Sequence, residues 1–232
     1  MYRLALVSFA AIFVLPISSQ SSVNKTPISP LRALYVQDQR DRGVALADNG
    51  KDMLSAEDAK KMQSFGWDEI NKRDEERRKK VLEMFRQNQL VTAEDFHDAS
   101  FIFQHGQTAD DYLLAHILAM DAVVRGDTTS KWIAAATLDR YLQKIGQKQV
   151  FGTQYLDTQY AYYLQHHNDA DVVAKMKAVP SQPTQQPYDE NLLPALVRRD
   201  FCVPDLAEQK NYITLTTEGK PAEIPRISAC PH

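Results

Sequence analysis

Three consecutive segments of the chain each begin at a Thr or Ser and end at a Gly, and this punctuation constrains the fold more than any other feature. The segments span residues 92–106, 108–126 and 129–146. Thr and Ser are favoured at helix N-caps, and Gly ends helices because it adopts positive φ without strain. The linkers are only a few residues long, so neighbouring helices must pack side by side. The sequence therefore predicts an antiparallel helical array.

Two helices are predicted before this array. Pro30 suits the first turn of a helix because its φ is already helical, and apolar residues follow it at helical spacing. Ser55, with Asp58 three residues later, marks the N-cap of a second helix. We expect Gly66 to interrupt this helix, which should end near Asn88. Its charged run places acids four residues before bases, which is typical of a solvated helix face.

The C-terminal third has a different composition. Residues 150–164 are rich in Tyr, Phe and Thr, which favour strands, and residues 212–217 alternate weakly, as an edge strand does. We therefore expect a mainly α-helical fold, an antiparallel helical array with a small β-hairpin or sheet in the C-terminal third. A single domain would span residues 30–210, with residues 211–232 as a tail.

The chain opens like a secretory signal peptide. Arg3 supplies a positive charge, residues 4–16 form an almost unbroken apolar run, and small residues follow. The run is shorter than the roughly 20 apolar residues of a membrane-spanning helix, although an uncleaved membrane anchor is the alternative interpretation. Cleavage of residues 1–20 would leave a flexible leader over residues 21–29. We expect a secreted or periplasmic protein that does not contact the membrane after cleavage.

The two cysteines fit an oxidising compartment. Cys202 and Cys230 are an even number of thiols, and they bracket the C-terminal tail. A bridge between them would close a loop of about 28 residues and stabilise the fold by roughly 3–4 kcal/mol in the chain-entropy model. We expect this disulfide, with two unpaired thiols as the alternative.

Charge and motifs exclude several functional classes. The net charge of -3 does not indicate the basic surface of a nucleic-acid-binding protein. The sequence contains no G-x-G-x-x-G, P-loop, H-E-x-x-H or G-x-S-x-G motif. Glu94 and His97 form one E-x-x-H pair, whereas a di-iron bundle needs two such pairs. We expect neither a metal nor another cofactor, and a partner that is either a protein or a small molecule.

Ionisable residues interrupt several apolar helix stripes. Asp38 shares a helix face with apolar residues of the first helix, and Asp74 and Arg77 interrupt the stripe of the second. Asp139 lies on the apolar face of the third array helix. A charge on a core-facing stripe is costly unless it is paired, hydrogen-bonded or open to a cleft.

Two interpretations of these charges stay open. In the first, they converge with His105 on a polar cleft that binds a ligand. In the second, they form an internal salt-bridge network that fixes helix packing, with Arg42, Arg77 and Arg140 as the expected partners of the acids. His116, among apolar neighbours, is expected to be a hydrogen-bonded core residue.

Four short motifs occur in a fixed order. They are Asp38-Gln39 followed by Arg42, then Gln104-His105, Asp139-Arg140, and Phe151-Gly152-Thr153-Gln154. This ordered set resembles a bacterial family known only as a domain of unknown function, whose members carry D-Q-x-x-R, Q-H, D-R and Y/F-G-T-Q motifs. The resemblance covers about residues 30–210. It implies a mainly helical domain with a small β element and supplies no activity.

The function that we expect is a non-catalytic binding or interaction module with an internal polar cluster. The alternative is a hydrolase-like enzyme in which His105 acts as general base, oriented by Asp139 or Asp74, and water attacks. The candidate cluster comprises Asp38, Arg42, Asp74, His105, Asp139, Arg140 and Gln154.

Overall fold

The computed structural model describes residues 28–166 and 168–225. The expected signal peptide, most of the expected leader, and Cys230 lie outside these described residues. The helices, in chain order, are α1 (Pro30–Asp41), α2 (Ala56–Ala59), α3 (Trp67–Arg86), α4 (Ala93–Phe103), α5 (Ala109–Val124), α6 (Lys131–Lys144), α7 (Thr158–His166), α8 (Val172–Ala178), α9 (Ala195–Asp200) and α10 (Leu206–Thr217).

The punctuation by Thr and Gly produces the helices that it predicts. The side chains of Thr92 and Thr108 each accept a hydrogen bond from the backbone N–H of the third residue of their helix. That third residue is an Asp, whose carboxylate accepts a hydrogen bond from the backbone N–H of the Thr, and this completes a capping box at α4 and at α5. A turn of 3-10 helix (Thr128–Ser130) precedes α6. Gly126 and Gly146 have positive φ after α5 and α6. The mainly helical array is thus confirmed, with α5 packed between α4 and α6.

The main core lies where the first helices meet the array. Leu31 of α1, Val81 of α3, Ile102 of α4 and Leu118 of α5 belong to one buried apolar cluster. Burial of a side chain of this size contributes about 1.5–3 kcal/mol relative to exposure. This cluster holds α1 and α3 against the array and thereby fixes the position of the charges that they carry.

A second core joins α6 to the C-terminal third. Ala135 of α6 packs with Phe151 and Val203, which come from the loop after α6 and the loop after α9. Strands β1 (Leu156–Asp157) and β2 (Pro183–Thr184) pair antiparallel, which confirms a small sheet in this part of the chain.

Two expectations for the C-terminal third are wrong. Residues 150–164 are extended only at β1, and the Tyr-rich segment that follows is the helix α7. Tyr160 stacks on Tyr163 three residues later, so the aromatic side chains pack at helical spacing, not across strands. Residues 212–217 belong to α10, which begins with a capping box at Asp205 and continues past the expected domain end at residue 210.

Threonines in α10 satisfy their hydroxyls within the helix. Thr214 and Thr216 donate to carbonyl oxygens four residues earlier, which makes these residues compatible with helical backbone. Within the described part of the chain, no helix has both the length and the apolar character to cross a bilayer. Cys202 is buried after α9, but the disulfide stays a prediction because Cys230 lies outside the described residues.

Candidate functional site

Two arginines and three aspartates form an internal network that joins α1 to α3, here named the α1–α3 network. Arg42 donates to Asp38 at 3.0 Å and to Asp74 at 2.5 Å. Arg77 donates to Asp74 at 2.5 Å and to Asp41 at 2.7 Å. Asp38 is fully buried and Arg77 is 3% exposed. The charges that interrupt the apolar stripes of α1 and α3 are therefore paired, as the packing interpretation expects.

His105 attaches the end of α4 to this network. Its Nδ1 lies 3.0 Å from the Asp38 carboxylate. Burial lowers the pKa of His105, although the hydrogen bond and the charge of Asp38 oppose this effect. Burial also disfavours ionisation of Asp38, but His105, Arg42 and Arg77 outweigh it and lower the pKa of the carboxyl. Asp38, and not Asp139 or Asp74, is thus the acid that orients His105.

Asp139 of α6 holds the loop that follows the helix. Its buried carboxylate accepts from the backbone N–H groups of Val150 at 2.8 Å, Phe151 at 3.0 Å and Thr153 at 2.9 Å. The Thr153 hydroxyl donates to it at 2.7 Å. Burial raises the pKa of Asp139, and these hydrogen bonds oppose that shift. Asp139 therefore shapes the Phe-Gly-Thr-Gln turn, where Gly152 adopts a φ of 77°.

Arg140 points away from Asp139 because successive residues of a helix lie about 100° apart. Its Nε donates to Gln154 Oε1 at 3.0 Å, and its Nη1 donates to the Gln104 carbonyl at 2.8 Å. Both acceptors are neutral. Among the described residues, no carboxylate forms an ion pair with Arg140, so its expected pairing with an acid is wrong. Burial lowers the pKa of Arg140, and the charge of Arg42 adds to this effect.

The seven candidate residues therefore form two groups and not one site. Asp38, Arg42, Asp74 and His105 belong to the α1–α3 network and its attachment to α4. The second group centres on α6 and the loop after it, and comprises Asp139, Arg140 and Gln154. The hydrogen bond from Arg140 to Gln104, the residue before His105, makes the groups neighbours.

A cavity of about 290 Å³ lies beside Arg140 and is here named the Arg140 cavity. Gln143 is 8% exposed, and its amide nitrogen has no hydrogen-bond partner among the described residues. Lys144 is exposed at the end of α6. The lining of the cavity includes Arg140, Gln143 and Lys144 from α6, Tyr112 from α5, and Tyr160 and Leu164 from α7.

The sequence-based candidates omit most of this lining. Gln143 and Lys144 are three and four residues after Arg140, a spacing that puts all three on one helix face. That spacing was the available signal for these two residues. No sequence signal pointed to Tyr160, because the composition of its segment favours strands and only the folded chain brings α7 to the cavity.

Elsewhere, a Ser-His-Asp group forms without the geometry of a catalytic triad. Ser130 and Asp127 both lie near Nδ1 of His97, at 2.8 Å and 3.2 Å, whereas a triad uses the two ring nitrogens separately. Ser130 is also fully buried. The group caps the turn before α6. His116, as expected, is hydrogen-bonded, with its Nδ1 2.8 Å from the Ala134 carbonyl oxygen.

No set of three or more His, Cys, Asp or Glu side chains within residues 28–166 and 168–225 has the arrangement of a metal site. Comparisons of the chain with models of known families, with curated proteins and with solved structures yield no match. The resemblance to the family of unknown function therefore stays a prediction, and the function must be argued from the geometry.

Proposed function

We propose that the protein is a binding module that takes a small anionic molecule in the Arg140 cavity. The observation that carries this proposal is the guanidinium of Arg140, which lines a cavity and has no acidic partner among the described residues. Arg140 is partly buried, and a cation that is partly removed from water is stabilised when an anion compensates its charge. A bound carboxylate or phosphate would supply that compensation through paired N–H donors.

The surrounding side chains support the same proposal. Lys144 adds a second positive charge at the rim, and the unpartnered amide of Gln143 adds a donor. The exported location expected from Arg3 and the apolar run of residues 4–16 is also part of the proposal, and an exported binding module would meet small molecules outside the cytoplasm.

The test is anion binding by the full chain, measured by calorimetry with acetate and inorganic phosphate. Arg140→Gln should abolish the binding because it removes the fixed charge. Arg199→Gln is the matched control, since Arg199 is exposed and lies outside the lining of the cavity. Equal binding by the two variants would place the anion elsewhere and overturn the proposal.

A hydrolase remains the second candidate because of one observation, the 3.0 Å contact between His105 and Asp38. A neutral imidazole held by a carboxylate is suited to act as general base. His105 is not among the residues that line the Arg140 cavity, which weighs against this candidate. Turnover of chromogenic esters by the wild type, and its loss in His105→Gln, would favour the enzyme.

A further inference from the structure

The donors in the Arg140 cavity are suited to a planar acceptor. A guanidinium has five N–H donors, and two of those of Arg140 are used by Gln154 and the Gln104 carbonyl. Three are left without an acceptor among the described residues. Arginine presents its donors as a rigid planar fork, which matches the two oxygens of a carboxylate.

The charge of the cavity favours a single negative charge on the ligand. Lys144 is the last residue of α6, where the helix dipole contributes about half a negative charge, and Arg140 lies one turn before it. This partial charge offsets part of the two cations. Phosphate dianions are favoured at helix N-termini, whose free N–H groups and dipole stabilise them, and α6 presents the opposite end.

Apolar side chains complete the lining. Tyr160 and Leu164 are four residues apart on α7 and so share one helix face, and Leu156 of β1 lies beside them in the same cavity. Apart from the Tyr160 hydroxyl, these side chains have no polar group that could bind an inorganic ion. Their apolar surfaces contribute to binding only if the ligand carries an apolar part that they can shield from water.

The volume limits the size of that apolar part. Pockets for small-molecule ligands usually have volumes of about 300–1,000 Å³, and the 290 Å³ of this cavity lies at the lower end of that range. This space fits a small acid with a single ring or a short chain. It does not enclose a nucleotide or a peptide.

We infer that the ligand is a small organic monocarboxylate with an apolar body, whose carboxylate meets Arg140 and Gln143 and whose body packs against Tyr160 and Leu164. This inference rests on the proposed anion-binding function and narrows its ligand to one chemical class. Tyr112 lies at the same cavity and offers a further ring for the body of the ligand to contact.

The experiment compares probes that differ in one property each, by calorimetry on the full chain. Phenylacetate carries the carboxylate and the ring, phenylacetamide lacks the charge, acetate lacks the ring, and inorganic phosphate replaces the carboxylate. We expect phenylacetate to bind at least about tenfold more tightly than each of the other three, because loss of a charge-assisted hydrogen bond and loss of the apolar contact of a ring each weaken binding about tenfold or more.

Variants separate the two parts of the inference. Arg140→Lys keeps the positive charge but removes the planar pair of N–H donors, and should lower the affinity for phenylacetate about tenfold or more. Leu164→Ala should weaken the binding of phenylacetate but leave that of acetate unchanged, because the Leu164 side chain has no polar group and contacts only the body of the ligand. Arg199→Gln, outside the cavity, should change the affinity for neither phenylacetate nor acetate. Circular dichroism of each variant checks that the fold is retained.

The possible failures are distinguishable. If acetate or phosphate binds through Arg140 but phenylacetate is no tighter than acetate, the anion site stands and the monocarboxylate inference is overturned. If phosphate binds more tightly than every carboxylate, the end of α6 does not select a single negative charge, and the monocarboxylate inference is overturned while the anion site stands. If none of the four probes binds the wild type, both the inference and the proposed function fail.

Discussion

The substitution Asp139→Asn tests whether one buried carboxylate organises the loop that closes the second core. Asp139 accepts two hydrogen bonds on each of its oxygens, from Val150 and Phe151 on Oδ1 and from the amide and hydroxyl of Thr153 on Oδ2. An asparagine replaces one of these oxygens by an NH₂ group. At least one buried N–H is then left facing another donor, whichever way the amide is oriented.

The expected cost follows from these contacts. A buried donor without a partner costs about 1–3 kcal/mol, and each remaining bond loses the roughly 1 kcal/mol that the charge adds. Removal of the charge also removes its desolvation cost, which offsets part of this loss. We expect a net destabilisation of about 3 kcal/mol. At about 2–4 °C per kcal/mol for a chain of this size, the melting temperature should fall by roughly 6–12 °C.

Thermal and urea denaturation, followed by circular dichroism, measure this change. The matched control is Asp121→Asn, because Asp121 is partly exposed and its carboxylate pairs, within the described ranges, only with Arg125 at 3.2 Å on the surface. This variant should stay within about 0.5 kcal/mol of the wild type. A variant Asp139→Asn as stable as Asp121→Asn would show that the loop does not depend on the carboxylate, which would refute the assignment.

Three further predictions concern other parts of the fold. Arg77→Met should cost about 3–5 kcal/mol in chemical denaturation because it removes charge-assisted hydrogen bonds to the buried carboxylates of Asp41 and Asp74, each worth about 1.5–3 kcal/mol, whereas Lys79→Gln, on the exposed face of α3, should have little effect. Stability should decline as the pH falls below 6.5, because the pKa of His105 is lowered in the folded protein and the unfolded chain therefore takes up the proton first. In melting curves recorded at several pH values, His105→Gln should show a smaller decline than the wild type. Gly152→Ala should lower the melting temperature more than Gly146→Ala. Both glycines have positive φ, but a Cβ at Gly152 would lie 2.4 Å from the Gln209 side chain, whereas a Cβ at Gly146 meets open space. Equal decreases in the melting temperature would show that backbone strain alone causes the destabilisation in both variants.

The helical part of the fold was predictable because its signals are local. The caps at Thr92 and Thr108 act on the first turn of their own helix, so the residues that make them are close in sequence. The C-terminal third was less predictable for the opposite reason. Tyr and Thr at 150–164 favour strands on average, but tertiary contacts decide between strand and helix, and these contacts are not visible in the sequence.

The candidate site was predictable in part. A charge on an apolar stripe must be compensated, and this rule identified Asp38, Asp74 and Asp139 as residues with buried partners. It could not identify the partners. Asp139 is compensated by backbone N–H groups, which every sequence contains, so no residue type marks them. The expectation of one shared cleft failed because neighbouring positions on α6 face different sides of the helix.

An arginine inside the fold that has no acidic partner is not by itself a binding site, and Arg198 shows the difference. Arg198 is 1% exposed, and it donates to the Phe151 carbonyl at 2.9 Å and to the Glu190 carbonyl at 3.0 Å. Like Arg140, it therefore meets neutral oxygens only among the described residues. Arg198, however, is enclosed by the loops that it joins, so an anion has no route to it. Arg140 uses two donors for the same structural purpose and presents the others to a cavity. A structural arginine and a ligand-binding arginine therefore differ in whether an anion can reach the guanidinium. For Arg140 this access depends on the position of α7, which the sequence around either arginine does not reveal.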